Sequence, residues 1–279
     1  MKNIFFVAFA IVSLTFISCK KETVIKQDDT IGLVKIQEIA NDSNVVELYN
    51  TTGVLQVGYN DIYLRVKDKI SGTYNTDATI DWMPVMHMMS MSHSCPKSTV
   101  AKVAGKPTLQ KGYLVFLMPN NSAEKWTLSL NIQTNSTTTV ITDTIAVANS
   151  TNKRLTFFTG TDSKKYIVAL VQPAKPAVAI NDLVIGLFVK ENSMSYPSVA
   201  NYSVMVDPRM PSMGNHTSPN NKAPVFMATD NFYHGQLSLT MTGYWKLNLI
   251  VKNTLNDVLK GEEVTPTNES SSLYLDLEF

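Results

Sequence analysis

Two stretches of this chain carry the same landmarks in the same order, and that duplication limits its possible folds more than any other feature. Asn60-Asp61-Ile62 opens a strand-like run to Val66, and Asn181-Asp182-Leu183 opens another to Val189. Met83-Pro84-Val85-Met86 precedes His93-Ser94-Cys95-Pro96, and Met210-Pro211-Ser212-Met213 precedes His216-Thr217-Ser218-Pro219. Gly112 lies sixteen residues beyond Pro96 and Gly235 sixteen beyond Pro219, and each is followed six residues later by a methionine, Met118 and Met241. Each copy then closes on a tryptophan and alternating apolar residues: Trp126, Leu128, Leu130 and Ile132, then Trp245, Leu247, Leu249 and Val251. A repeat this ordered predicts two similar units.

The alternation says what each unit is. Leu114, Phe116 and Met118 share one face of a period-two pattern, as do Leu237, Leu239 and Met241, and no window carries a helical stripe. Short strands separated by Asn, Gly, Pro and Ser clusters, in units of about 120 residues, predict an all-β chain of two tandem immunoglobulin-like antiparallel β-sandwich domains. The boundary is expected near Ser150, giving a first sandwich over 31–150 and a second over 151–279. Thr137 to Ala146 and Leu273 to Phe279 are the expected closing strands, with a long polar loop between Val258 and Ser272.

At the start, Lys2 precedes an apolar run from Ile4 to Ile17 that is short for a bilayer span and ends at Ser18-Cys19, followed by Lys20-Lys21-Glu22. This resembles a bacterial lipoprotein signal peptide, residues 1–18, with the box Phe16-Ile17-Ser18-Cys19; Phe16 departs from the usual leucine-like aliphatic. The resemblance implies cleavage before Cys19, lipidation of that cysteine, and a lipid-anchored tether over 19–30 outside the cytoplasm. The Lys-Lys-Glu after the cysteine is similar to the start of Bacteroidetes lipoproteins. A signal-anchor helix is the rival reading.

Five of the chain's thirteen methionines fall between Met83 and Met91. Methionine normally fills gaps in cores, whereas thioethers, imidazole and thiol gathered in one loop make a soft-ligand set of the kind that selects Cu(I). The candidate donors are Met86, His87, Met88, Met89, Met91, His93 and Cys95, with Met83 at the margin, and Met210, Met213 and His216 as a minimal set in the second copy. Were 83–95 extended, Met83, His87, Met89, Met91, His93 and Cys95 would project to one side and Met86 and Met88 to the other. Three of the four histidines lie in these motifs; His234 is expected to be solvated. Cys95 is the only thiol besides Cys19, which leaves burial, pairing with another chain, or a role of its own.

The order Met-Pro-x-Met, His-x-x-Pro, glycine, methionine, Trp-x-Leu-x-Leu resembles the YtkA-like domain, related to the FixH-like proteins. Met83, Met86, His93, Pro96, Gly112, Met118 and Trp126 carry it in one copy, and Met210, Met213, His216, Pro219, Gly235, Met241, Gly243 and Trp245 in the other. The resemblance implies small extracytoplasmic β-sandwiches, often encoded among copper-handling and respiratory-oxidase assembly functions. The first copy departs by its methionine-rich insert and Cys95, and the second lacks both.

The expected function is an extracytoplasmic, membrane-anchored lipoprotein that binds copper, as Cu(I), for buffering or for delivery to a copper-accepting or envelope protein. The alternatives are a lipid-anchored structural or interaction module whose methionine patch is a contact surface, or a patch of sacrificial oxidant traps. A zinc site from His87, His93 and Cys95 would leave the methionines unexplained. A net charge of +1 with 17% charged residues gives no footprint for nucleic acid. No hydrolase, nucleotide-loop or dinucleotide motif is present, so no enzyme is expected.

Overall fold

The computed structural model describes residues 28–134 and 137–279; the expected signal peptide and Cys19 lie outside them. The described chain is almost all β, its one short helical piece being a 3-10 turn at Pro211–Met213.

The first half contains β1 (Val34–Ala40), β2 (Asn44–Asn50), β3 (Leu55–Gln56), β4 (Gly58–Asp68), β5 (Thr79–His87), β6 (Ser92–His93), β7 (Ala101–Val103), β8 (Lys106–Phe116), β9 (Lys125–Gln133), β10 (Thr138–Ile145) and β11 (Val147–Ala148). One sheet runs β1-β2-β4-β8-β7 and the other β10-β9-β5-β6, with β11 paired to β3 in parallel. Alternation along β9 turns Trp126, Leu128, Leu130 and Ile132 inward, where they meet Ile62, Leu64, Leu114 and Phe116 of the facing sheet. The two sheets thus form an antiparallel sandwich around one core.

The second half contains β12 (Leu155–Thr159), β13 (Lys165–Gln172), β14 (Ile180–Val189), β15 (Ser203–Met210), β16 (His216–Thr217), β17 (Lys222–Met227), β18 (Phe232–Ser238), β19 (Tyr244–Lys252), β20 (Val258–Lys260) and β21 (Tyr274–Glu278). Its sheets are β12-β13-β14-β18-β17, in the same order as β1-β2-β4-β8-β7, and β16-β15-β19, in the same order as β6-β5-β9, with both β20 and β21 on the edge of β19 where the first half has β10 alone. The likeness extends to single bonds. Asn60 donates to the carbonyls of Gln56 and Gly58, and Asn181 to those of Ala177 and Ala179, so each asparagine holds the chain entering its strand in the same way. Trp126 Nε1 donates to Met118 O at 2.9 Å and Trp245 Nε1 to Met241 O at 3.0 Å.

The recurring glycines are required by close approach. A Cβ on Gly112 would lie 2.6 Å from the Trp82 ring, and one on Gly235 would lie 2.5 Å from Lys222 O. The register matches as well, for Gly112 pairs with Ile62 and Gly235 with Leu183.

The halves pack on each other through their five-stranded sheets. Tyr59, Tyr113, Val115 and Leu117 from the first meet Ile167, Ala169, Phe188 and Phe232 from the second in a third apolar cluster. Phe232 sits 5.1 Å from the Tyr113 ring and 5.8 Å from that of Tyr59.

Two expectations need correction. The end of the expected tether is docked: Asp28 lies 3.3 Å from Arg65, and Asp29 accepts the amide hydrogen of Thr108 at 2.9 Å. The polar loop after Val258 begins as β20, because the backbone of Val258–Lys260 pairs with the end of β19. His234 is partly exposed and also bonds Asp230 at 2.8 Å.

Candidate functional site

The methionine-rich segment folds back on itself. β5 carries Met83 to His87, the chain turns through Met88–Met91, and β6 returns with Met86 opposite His93 and His87 opposite Ser92. The same register continues into the turn, where Met88 N donates to Met91 O at 2.9 Å. Residues opposite each other in an antiparallel pair share a face, and so do alternate residues of one strand. Met86, Met88, Met91 and His93 therefore occupy one face of this hairpin, as two cross-strand pairs.

This grouping differs from that expected of an extended segment. A straight strand would set Met91 and His93 against Met86 and Met88, whereas the reversal at the turn carries them to the same side. His87 goes to the opposite face, where its Nε2 lies 2.9 Å from Thr127 Oγ1. Met83 is also on that outer face, in reach of Ser94 Oγ at 3.8 Å, and Met89 is almost fully exposed in the turn.

The four candidate donors are graded in depth. Met86 is fully buried between its strand partners His93 and Trp126, His93 is buried, Met88 is half-buried on the core, and Met91 is 59% exposed. The His93 ring meets Trp126 edge-on at 5.4 Å. Its Nδ1 lies 2.7 Å from Ser94 O, a carbonyl that can only accept, so in the neutral ring Nδ1 carries the proton and Nε2 the lone pair. The Ser94 amide in turn donates to Ser193 O of the second half at 2.8 Å, which fixes the backbone bearing His93.

Cys95 lies in the same core cluster as Met86. Its thiol is buried, and loss of hydration pushes its pKa well above the ordinary thiol value despite the nearby Val115 amide. A thiolate is the form that ligates and reacts, and this site opposes it. Among the described residues no three His, Cys, Asp or Glu side chains converge as a metal-ligating group, and His87, His93 and Cys95 are not brought together.

The second half repeats the core of the arrangement with a shift that the sequence conceals. Met210 pairs with His216, and the register of β15 on β19 sets Trp245 on its other side. Met210 therefore corresponds to Met86 and not to Met83, although the Met-Pro-x-Met motifs align Met83 with Met210. The reason is local. In the first half Pro84 lies inside a strand, whereas Pro211 begins the 3-10 turn that ends β15. Met213 then falls on that turn, 55% exposed, and His216 is exposed, 6.5 Å from Trp245. Met210 is buried.

What the first site offers is two to three thioethers and one imidazole nitrogen graded from solvent to core, a donor set suited to a soft monovalent ion. The feature that sequence reasoning missed is Trp126 beside Met86 and His93. The recurrence of Trp with Met and His in both copies was the available signal.

No protein-family model and no curated relative matches the chain. Among solved structures, a conserved domain protein from Bacillus anthracis aligns with 9% identity and a TM-score of 0.31, over 90% of this chain and 93% of that one. A chimeric titin Z1Z2 tandem aligns with 12% identity and a TM-score of 0.20, over 88% of this chain and 97% of that one.

Proposed function

We propose that this is an extracytoplasmic, lipid-anchored protein of two YtkA-like β-sandwiches that binds copper as Cu(I) at the β5–β6 hairpin. One observation carries the reading: the hairpin register gathers Met86, Met88, Met91 and His93 on a single face. Cu(I) is satisfied by a few soft donors and imposes little geometry. Met91 and Met88 would meet the ion first, and His93 Nε2, with Met86 behind it, would hold it deeper. Such a gradient suits buffering and exchange with a partner. Met210 and His216 would form a weaker second site, since they have no equivalent of the Met88–Met91 pair.

The test is anaerobic Cu(I) titration of the chain from Lys20 onward against a chelator of known affinity. One tightly bound ion is expected, with at least about tenfold loss in a Met88→Ser, Met91→Ser variant whose thermal unfolding is unchanged. Met86 is left intact there, because emptying a fully buried site costs about 2–5 kcal/mol in stability and would confound the result. Undiminished stoichiometric binding in that variant would move the ion elsewhere. Absence of binding would leave the hairpin as a packing or partner surface.

A further inference from the structure

A cleft of about 610 Å³ opens beside His93, where the end of the first sandwich meets the face of β12–β13–β14. Leu117 and Met118 form one wall, and Phe157 and Ile167 form the other. Its size is in the range of small-molecule sites. Phe157 is 54% exposed there although its strand neighbours are packed, so the wall ends in an uncovered aromatic ring.

The mouth carries a second, independent feature. Tyr166 pairs with Val189, so the next residues in that register, Lys165 and Lys190, lie directly opposite each other, with Lys190 N donating to Lys165 O at 2.8 Å. Both line the cleft. Like charges directly opposed on neighbouring strands destabilise a sheet. Among the described residues no carboxylate lies within ion-pair distance of either ammonium. Two uncompensated cations at the rim of an apolar cleft have the complement of an amphipathic anion: a head group that bridges the ammonium groups and a body that covers Phe157, Ile167, Leu117 and Met118.

We propose that the cleft between the two halves binds a small free carboxylate with an apolar body, its head group held between Lys165 and Lys190. His93 borders the cleft, but neither lysine and none of the apolar wall residues is a hairpin donor, so the proposal does not rest on copper binding. Hydrogen bonds to a charged group supply its preference for the anion over a neutral analogue.

The experiment is calorimetric titration of the chain from Lys20 onward, which keeps every described element, with octanoate and with octan-1-ol. Octanoate is expected to saturate one site, with octan-1-ol at least about tenfold weaker. Lys165→Glu should lose octanoate binding while raising the melting temperature, since it turns a repulsive cross-strand pair into an attractive one. Phe157→Ala, at an exposed position, should weaken binding without unfolding. The Met88→Ser, Met91→Ser variant should bind octanoate as the parent does, so failure here is distinct from failure of the copper reading. Equal affinity for the alcohol, unchanged binding in Lys165→Glu, or retention only on phosphatidylglycerol vesicles would overturn the proposal.

Discussion

At the scale of the residue, the environment and not the residue type separates candidate ligands from bystanders. His87 and His93 are six positions apart, yet one faces solvent beside Thr127 and the other lies buried with its Nδ1 committed to the Ser94 carbonyl. Cys95 shows the same lesson for sulfur. Burial denies its thiolate form, so the folded chain from Lys20 onward should react with a thiol reagent such as DTNB far more slowly at pH 8 than the chain unfolded in guanidinium. Labelling at equal rates in the two states would show that the thiol is accessible and would return it to the ligand set.

At the scale of the element, the β5–β6 hairpin turns composition into a site. A methionine-rich segment with no reversal would divide its donors between two faces. The tight turn at Met88–Met91 brings two pairs to one face and leaves His87 on the other. His93→Ala should therefore lower Cu(I) affinity about tenfold or more, and His87→Ala should leave it within about twofold, both read in the same chelator competition. Loss confined to His87→Ala would place the ion on the outer face.

At the scale of the whole molecule, the two sandwiches are joined by a packed apolar interface and not merely by a linker. Phe232 stands at its centre, against Tyr59, Tyr113 and Phe188. Truncating a buried phenylalanine costs about 3–5 kcal/mol, and here the loss falls on the coupling between halves. Calorimetric unfolding is expected to show one transition in the parent and two in Phe232→Ala. A single transition in both would mean that the halves are coupled by something other than this cluster. The same interface builds the cleft and carries the Ser94–Ser193 bond behind His93, so it positions both proposed sites.

The all-β class was legible in the sequence, because period-two alternation along Trp126–Ile132 and Trp245–Val251 is a direct record of which side chains face a core. So was the duplication, since Asn60 and Asn181, or Gly112 and Gly235, answer local demands of hydrogen bonding and close approach that each copy must meet. The methionine cluster could be named as a set of candidate donors from composition alone. Which donors share a face was decided only by the tertiary structure, because a hairpin reversal is a pairing between strands and leaves no periodicity of its own. The same holds for the shift that makes Met210 the counterpart of Met86, set by where a proline ends a strand. The cleft and its opposed lysines were invisible for a related reason. Lys165 and Lys190 meet through a strand register across the sheet, and the wall facing them comes from the other half of the chain.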